Sequence, residues 1–123
     1  MKRDMELVRQ IMLWVQEKPD LNPALVAIEG HEFGEINRHV EILSEAGFLD
    51  VMRRKMGSGP DQFFVRDLTW EGHEFIATTQ NKTVWSKMKS TYGTELPKMP
   101  LDIVKGIATK LFTDILMAQI AQP

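Results

Sequence analysis

The sequence predicts a single α+β domain, with helices packed around one β-hairpin, and three observations predict it. Apolar residues recur at helical spacing in stretches that begin near residues 5, 34 and 101. Two strand-like runs, 48–56 and 62–68, flank the turn formers Gly57-Ser58-Gly59-Pro60-Asp61. A chain of 123 residues, 43% hydrophobic, can bury a core without covalent staples, which matters because it has no cysteine.

Residues 5–18 read as the first helix. Asp4 is placed to cap it, and Leu7, Val8, Ile11, Met12, Trp14 and Val15 share one side of the helical wheel. Leu13 projects from the polar side. The run Pro19-Asp20-Leu21-Asn22-Pro23 stops the helix. Ala24-Leu25-Val26-Ala27-Ile28 is short, apolar and partly β-branched, and reads as a brief strand. Residues 34–46 read as the second helix, with Ile36, Val40, Leu43 and Ala46 inward and Asn37, Arg38, Glu41, Ser44 and Glu45 outward. Gly47 follows as its terminator. His39 falls within the apolar arc, where a hydrogen-bonded core role is expected.

After the hairpin, Thr69 can cap a helix that starts at Trp70, and Asn81 or Thr83 can start another, with Val84, Trp85, Met88 and Tyr92 on one face. Residues 93–100 read as a linker. The last helix, 101–120, has a 4-3-4-3 apolar spacing through Val104, Ala108, Leu111, Ile115 and Ala118. Phe112, Leu116 and Ile120 form a second apolar flank, and so broad an apolar surface predicts more than one neighbour. The chain divides into residues 1–80 and a helical extension, 81–123, within one compact unit.

Charge is unevenly placed although the net formal charge is only −2. Between residues 29 and 46 five glutamates face one arginine; between 81 and 98 four lysines face one glutamate. Arg53-Arg54-Lys55 is a short basic run on the hairpin. The polar start and the lack of a long apolar stretch predict neither a secretory leader nor a membrane span. With no thiols, a reducing cytoplasmic setting is expected.

The pentapeptide Glu-Gly-His-Glu-Phe occurs at 29–33 and again at 71–75. A paired metal site of His31, Glu32, His73 and Glu74 has suitable donor types. The spacing argues against it, because HExxH is absent and one copy lies in a loop while the other opens a helix. The flanks of the two copies differ, so they are not a structural repeat. Two local roles are expected instead: glycines for tight chain entry, Glu32 and Glu71 near helix starts, and Phe33 and Phe75 in the core. No phosphate loop, nucleophile elbow or dinucleotide fingerprint exists. A non-enzymatic protein without metal or cofactor is expected.

The run H-V-E-I-L-S-E-A-G-F-L at 39–49 resembles the end of the recognition helix in winged helix-turn-helix proteins, a pattern like H-L-x-x-L-x-x-A-G-L-I. The basic hairpin stands where that family has its wing, and Leu68-Thr69-Trp70-Glu71-Gly72 is similar to the L-T-x-x-G that leaves the wing. The resemblance covers roughly residues 4–75. It implies a winged helix with a truncated helix-turn-helix, since 18–34 has no room for a support helix, and with a helical C-terminal extension. The whole chain also resembles a family of short bacterial and prophage proteins, a domain of unknown function, that begin M-K-R-D and carry L-T-W-E-G-H-E-F and T-V-W-x-K. That resemblance implies a phage or mobile-element origin.

Two functions follow as expectations. The first is a DNA-binding transcriptional regulator that contacts double-stranded DNA through Asn37, Arg38, Arg53, Arg54, Lys55 and Arg66 and dimerises through the last helix. Lys82 and Lys89 share one exposed face of a later helix, where a solvated charged face is expected in preference to added phosphate contacts. The second is a protein–protein interaction module on the same scaffold, with the acidic helix face and the flank of Phe112, Leu116 and Ile120 as its surfaces.

Overall fold

The computed structural model describes residues 1–121. Five α-helices surround one two-stranded antiparallel hairpin, so the fold is α+β. Helix α1 (Met5–Gln16) begins where Asp4 accepts hydrogen bonds from the backbone N–H groups of Glu6 and Leu7. It buries Leu7, Val8, Ile11, Met12 and Val15. Each such side chain contributes about 1.5–3 kcal/mol of hydrophobic stabilisation.

Helix α2 (Phe33–Glu45) buries Ile36, Val40 and Leu43. Its C-terminus closes by two nested bonds: Phe48 N–H to Leu43 C=O at 2.9 Å and Gly47 N–H to Ser44 C=O at 3.0 Å. That pattern requires a left-handed residue, and Gly47 supplies it with φ of 84°. Ala46, expected on the inner face, is exposed because it is the last residue before this reversal. His39 is buried between the first two helices. Its Nε2 accepts from Asp4 N–H at 2.9 Å and its Nδ1–H donates to Glu35 C=O at 2.8 Å, so the ring carries its proton on Nδ1.

Strands β1 (Leu49–Arg54) and β2 (Gln62–Leu68) pair from Leu49 opposite Leu68 to Arg54 opposite Gln62, with an irregularity at Asp50/Val51. The expected strand at 24–28 is reduced to one bridge: Ala24 exchanges both backbone bonds with Val65, at 3.0 and 2.8 Å. In that register Val26 would face Phe63. The Phe63 N–H instead donates to the Asn37 side chain at 3.0 Å, so the ladder stops after one rung. The spatial order is therefore Ala24, β2, β1.

Helix α3 (Trp70–Thr79) is capped by Thr69, whose hydroxyl accepts from Gly72 N–H. Helix α4 (Lys82–Tyr92) is capped by Asn81, which settles the choice between Asn81 and Thr83. Arg9 donates to the terminal carbonyls of Thr79 and Gln80, and Glu6 accepts from the Trp85 indole at 2.7 Å, so α1 holds both later helices. The expected linker is in part a 3-10 helix, Gly93–Lys98, with Leu96 buried. Arg3 donates to the Met99 carbonyl, and burial pushes its guanidinium pKa down.

Helix α5 (Leu101–Ile120) buries residues fully only in its first half, while Leu111, Phe112 and Ile115 pack against the core partly buried. Val104 and Ala108 are buried in the same core as α1–α4, whereas Leu111 and Ile115 are half-buried and Ala118 is exposed. The seam read from the sequence thus runs off the domain.

Candidate functional site

The residues expected to contact DNA lie on α2 and the hairpin, and the structure treats them unequally. Asn37 was expected on the outer face and is only 8% exposed. Its Nδ2 donates to the Asp61 carbonyl at 2.8 Å while its Oδ1 accepts from Phe63 N–H. Both ends of the carboxamide are occupied, so Asn37 ties helix to hairpin and offers no free edge to a base.

The arginines are exposed or half-exposed, but three of them face carboxylates. Arg53 sits on Asp61, with Nε and Nη2 at 2.7 and 2.6 Å from Oδ2, and lies 5.6 Å from the centre of the Phe63 ring. Arg66 pairs with Asp50 at 3.3 Å and donates to the Val51 carbonyl. Arg38 pairs with Glu41 one turn along α2. Arg54 and Lys55 are exposed and make no ion pair among the described residues. The Arg53 hydrogen bond holds the Asp61 carboxyl below the usual carboxylate range, helped by the Met56 N–H that donates to its other oxygen. Asp61 therefore fixes the hairpin turn as well as neutralising Arg53.

Between the first turns of α2 and the hairpin tip lies a cleft of about 1050 Å³. Its apolar surface includes Phe33, Met56 and Phe63, and it is also lined by Glu32 and Glu35 and by two ion pairs, Arg38–Glu41 and Arg53–Asp61. Phe33 was expected in the core and is 45% exposed, because it is the first residue of α2 and precedes the buried turn at Ile36. Phe75, its counterpart in the second pentapeptide, is fully buried. Met56 is also exposed. These two apolar residues were not identified as site residues from the sequence. Their signal was an apolar side chain among turn formers at each end of the helix–hairpin junction.

The two pentapeptides are not drawn together into a metal site. His31 lies 3.3 Å from Glu35 and near Asp4, while His73 and Glu74 are exposed on α3. Asp4 already uses Oδ1 as the α1 cap. On α4, Lys89 pairs with Glu6 at 3.5 Å, whereas Lys82 and Lys87 make no ion pair among the described residues. On α5, Phe112 is half-buried, Leu116 is 42% exposed and Ile120 75%. No described helix is long and apolar enough to cross a membrane.

An uncharacterized protein of Haemophilus influenzae is 26% identical to this chain over 118 residues, spanning 94% of this chain and 99% of that protein. No solved structure matches the chain. The family model described as "Hypothetical protein (DUF2513)" matches residues 2–95, which include α1 through α4 and every cleft-lining residue but Met1, and the chain belongs to that family.

Proposed function

We propose that the protein is a non-enzymatic interaction module on a winged-helix scaffold, and that it binds a partner protein in the cleft between α2 and the hairpin. The order helix, Ala24 bridge, helix, hairpin supports the scaffold, with Ala24 in the place of a first strand and a turn at 28–31 in the place of a support helix. The observation that carries the partner is the cleft itself, apolar within, with its two arginines, Arg38 and Arg53, paired to Glu41 and Asp61 and with Glu32 and Glu35 left as its excess charge. Such a surface repels phosphate and suits an amphipathic helix with an apolar stripe and basic flanks.

The test is an NMR titration of the 15N-labelled protein with a Leu/Lys amphipathic peptide of about five helical turns. Shifts centred on Phe33, Met56 and Phe63, lost in Phe33→Ala/Met56→Ala, are the expected result. Both side chains are exposed, so the variant keeps its fold. Shifts spread evenly over the acidic surface, unchanged in the variant, overturn the reading.

A second reading rests on Arg54 and Lys55, the two hairpin cations without a carboxylate partner among the described residues. They suit a DNA-binding regulator of phage or mobile-element type, paired through Phe112, Leu116 and Ile120. It replaces the first if a mixed-sequence duplex binds with a steep loss of affinity between about 50 and 200 mM salt. That binding must also vanish in Arg54→Ala/Lys55→Ala.

A further inference from the structure

We propose that residues 24–28 form an open docking edge, and that an extended peptide with alternating apolar and basic side chains adds to it as a strand. The site is distinct from the α2–hairpin cleft and stands or falls separately.

The segment has the form of a strand without the partner. From Ala24 to Ile28 the chain has no turn or bend, and burial alternates: half-buried, exposed, buried, exposed, half-buried. Period-two burial is the signature of extended backbone. Ala24 turns its N–H and C=O to Val65, so the peptide groups of Leu25 and Ala27 face the other way. Neither residue makes a backbone hydrogen bond among the described residues. The segment cannot satisfy itself by zipping further onto β2, because Asn37 holds the Phe63 N–H. No charge or proline within 24–28 protects the edge.

Beside this edge runs a groove of about 750 Å³ between the segment and the C-terminal half of α1, with Leu13, Trp14 and Ile28 among its apolar walls. Gln10 also lines it, and its side-chain oxygen is buried without a hydrogen-bond partner among the described residues. Glu17 and Glu29 also line the groove, as does Asp20, which lies 3.7 Å from the Lys18 ammonium. The nearby cation, Lys18, is turned inward: its side chain is 7% exposed and donates to the carbonyls of Asp20 and Asn22. Strand addition to an edge beside a helix takes its affinity from main-chain bonds and its selectivity from alternate side chains. The apolar groove and its acidic residues select apolar and basic residues in alternation.

The probe is a capped octapeptide of alternating lysine and valine, titrated into 15N-labelled protein. Expected are shifts of the Leu25 and Ala27 amides, the Trp14 indole and the Gln10 carboxamide. A version N-methylated at the edge-facing amides should bind at least about tenfold more weakly, as loss of two main-chain bonds requires. Ala27→Pro, which deletes one edge donor, should weaken the unmodified peptide similarly, while Arg54→Ala should not. The N-methylated peptide leaves the protein untouched, so that comparison stands even if Ala27→Pro fails to fold. No shifts up to about 1 mM, or equal binding of the N-methylated peptide, overturns the proposal.

Discussion

The Asn37 side chain stands in for a missing strand: its Oδ1 accepts from the buried Phe63 N–H at 3.0 Å, and its Nδ2 donates to the Asp61 carbonyl at 2.8 Å. A carboxamide has the donor–acceptor layout of a peptide group, so it fits the inner edge of β2 where Val26 would have continued the ladder. One residue thereby sets three things: the angle of α2 to the hairpin, the position of the tip, and the end of the Ala24 pairing.

Asn37→Ala is expected to destabilise the fold by about 1–3 kcal/mol, the cost of leaving a buried donor unsatisfied. Urea denaturation measures it. Asn37→Asp keeps the acceptor, loses the donor and brings a second carboxylate towards Asp61, so it should be at least as damaging. A residue that served only to contact a ligand would leave the denaturation midpoint unchanged.

Asp61 predicts an acid-sensitive hairpin tip. Its folded-state pKa is lowered, chiefly by the Arg53 hydrogen bond. The stabilising contribution is therefore present above the unfolded pKa of about 4 and is lost as pH falls through the lower folded value. The protection of the Met56 amide, whose N–H donates to Asp61, against hydrogen exchange, taken relative to the intrinsic rate at each pH, should fall below about pH 4. Asp61→Asn should remove that pH dependence and free Arg53.

Much of this architecture was legible in the sequence because local signals agreed with the packing. Asp4, Thr69 and Asn81 cap the helices for which their side chains suit them, and Gly47 closes α2. The hairpin followed from two β-rich runs around a turn. The failures came where a distant group overrode a local preference. Residues 24–28 have strand propensity, but Asn37 takes their partner's donor. Asn37 looked outward on a helical wheel because the wheel cannot show a hairpin folding back over it. The hairpin cations were visible; the carboxylates that pair them, at Asp61 and Asp50, depend on strand register.

Gly72 marks a close approach rather than a special backbone angle. A Cβ there would stand 2.2 Å from the Phe48 carbonyl oxygen and 3.3 Å from the Leu68 Cβ. The obstructing oxygen belongs to the backbone and also accepts from Thr69 N–H, so it cannot swing aside. Gly72→Ala should cost about 1–3 kcal/mol by overpacking. Gly106, exposed in the middle of α5 with nothing within 4 Å of its Cβ position, should behave oppositely. Gly106→Ala is expected to stabilise by about 0.5–1 kcal/mol, and thermal denaturation of the two variants should move in opposite directions.

The outer half of α5 makes the last prediction. Beyond Ala108 no described residue of the helix is fully buried, yet Leu111, Phe112, Ile115, Leu116 and Ile120 continue its apolar sides. Twelve residues of helix span about 18 Å, too short an interface to give a tight dimer alone, so any self-association should be concentration-dependent. Sedimentation equilibrium should show a mass that rises with concentration and returns to monomer in Leu116→Glu/Ile120→Glu. Both positions are exposed, so the variant should keep its denaturation midpoint to within about 0.5 kcal/mol. A monomer mass at every concentration would show that the seam does not join two copies, and would remove the symmetry that paired DNA half-sites require.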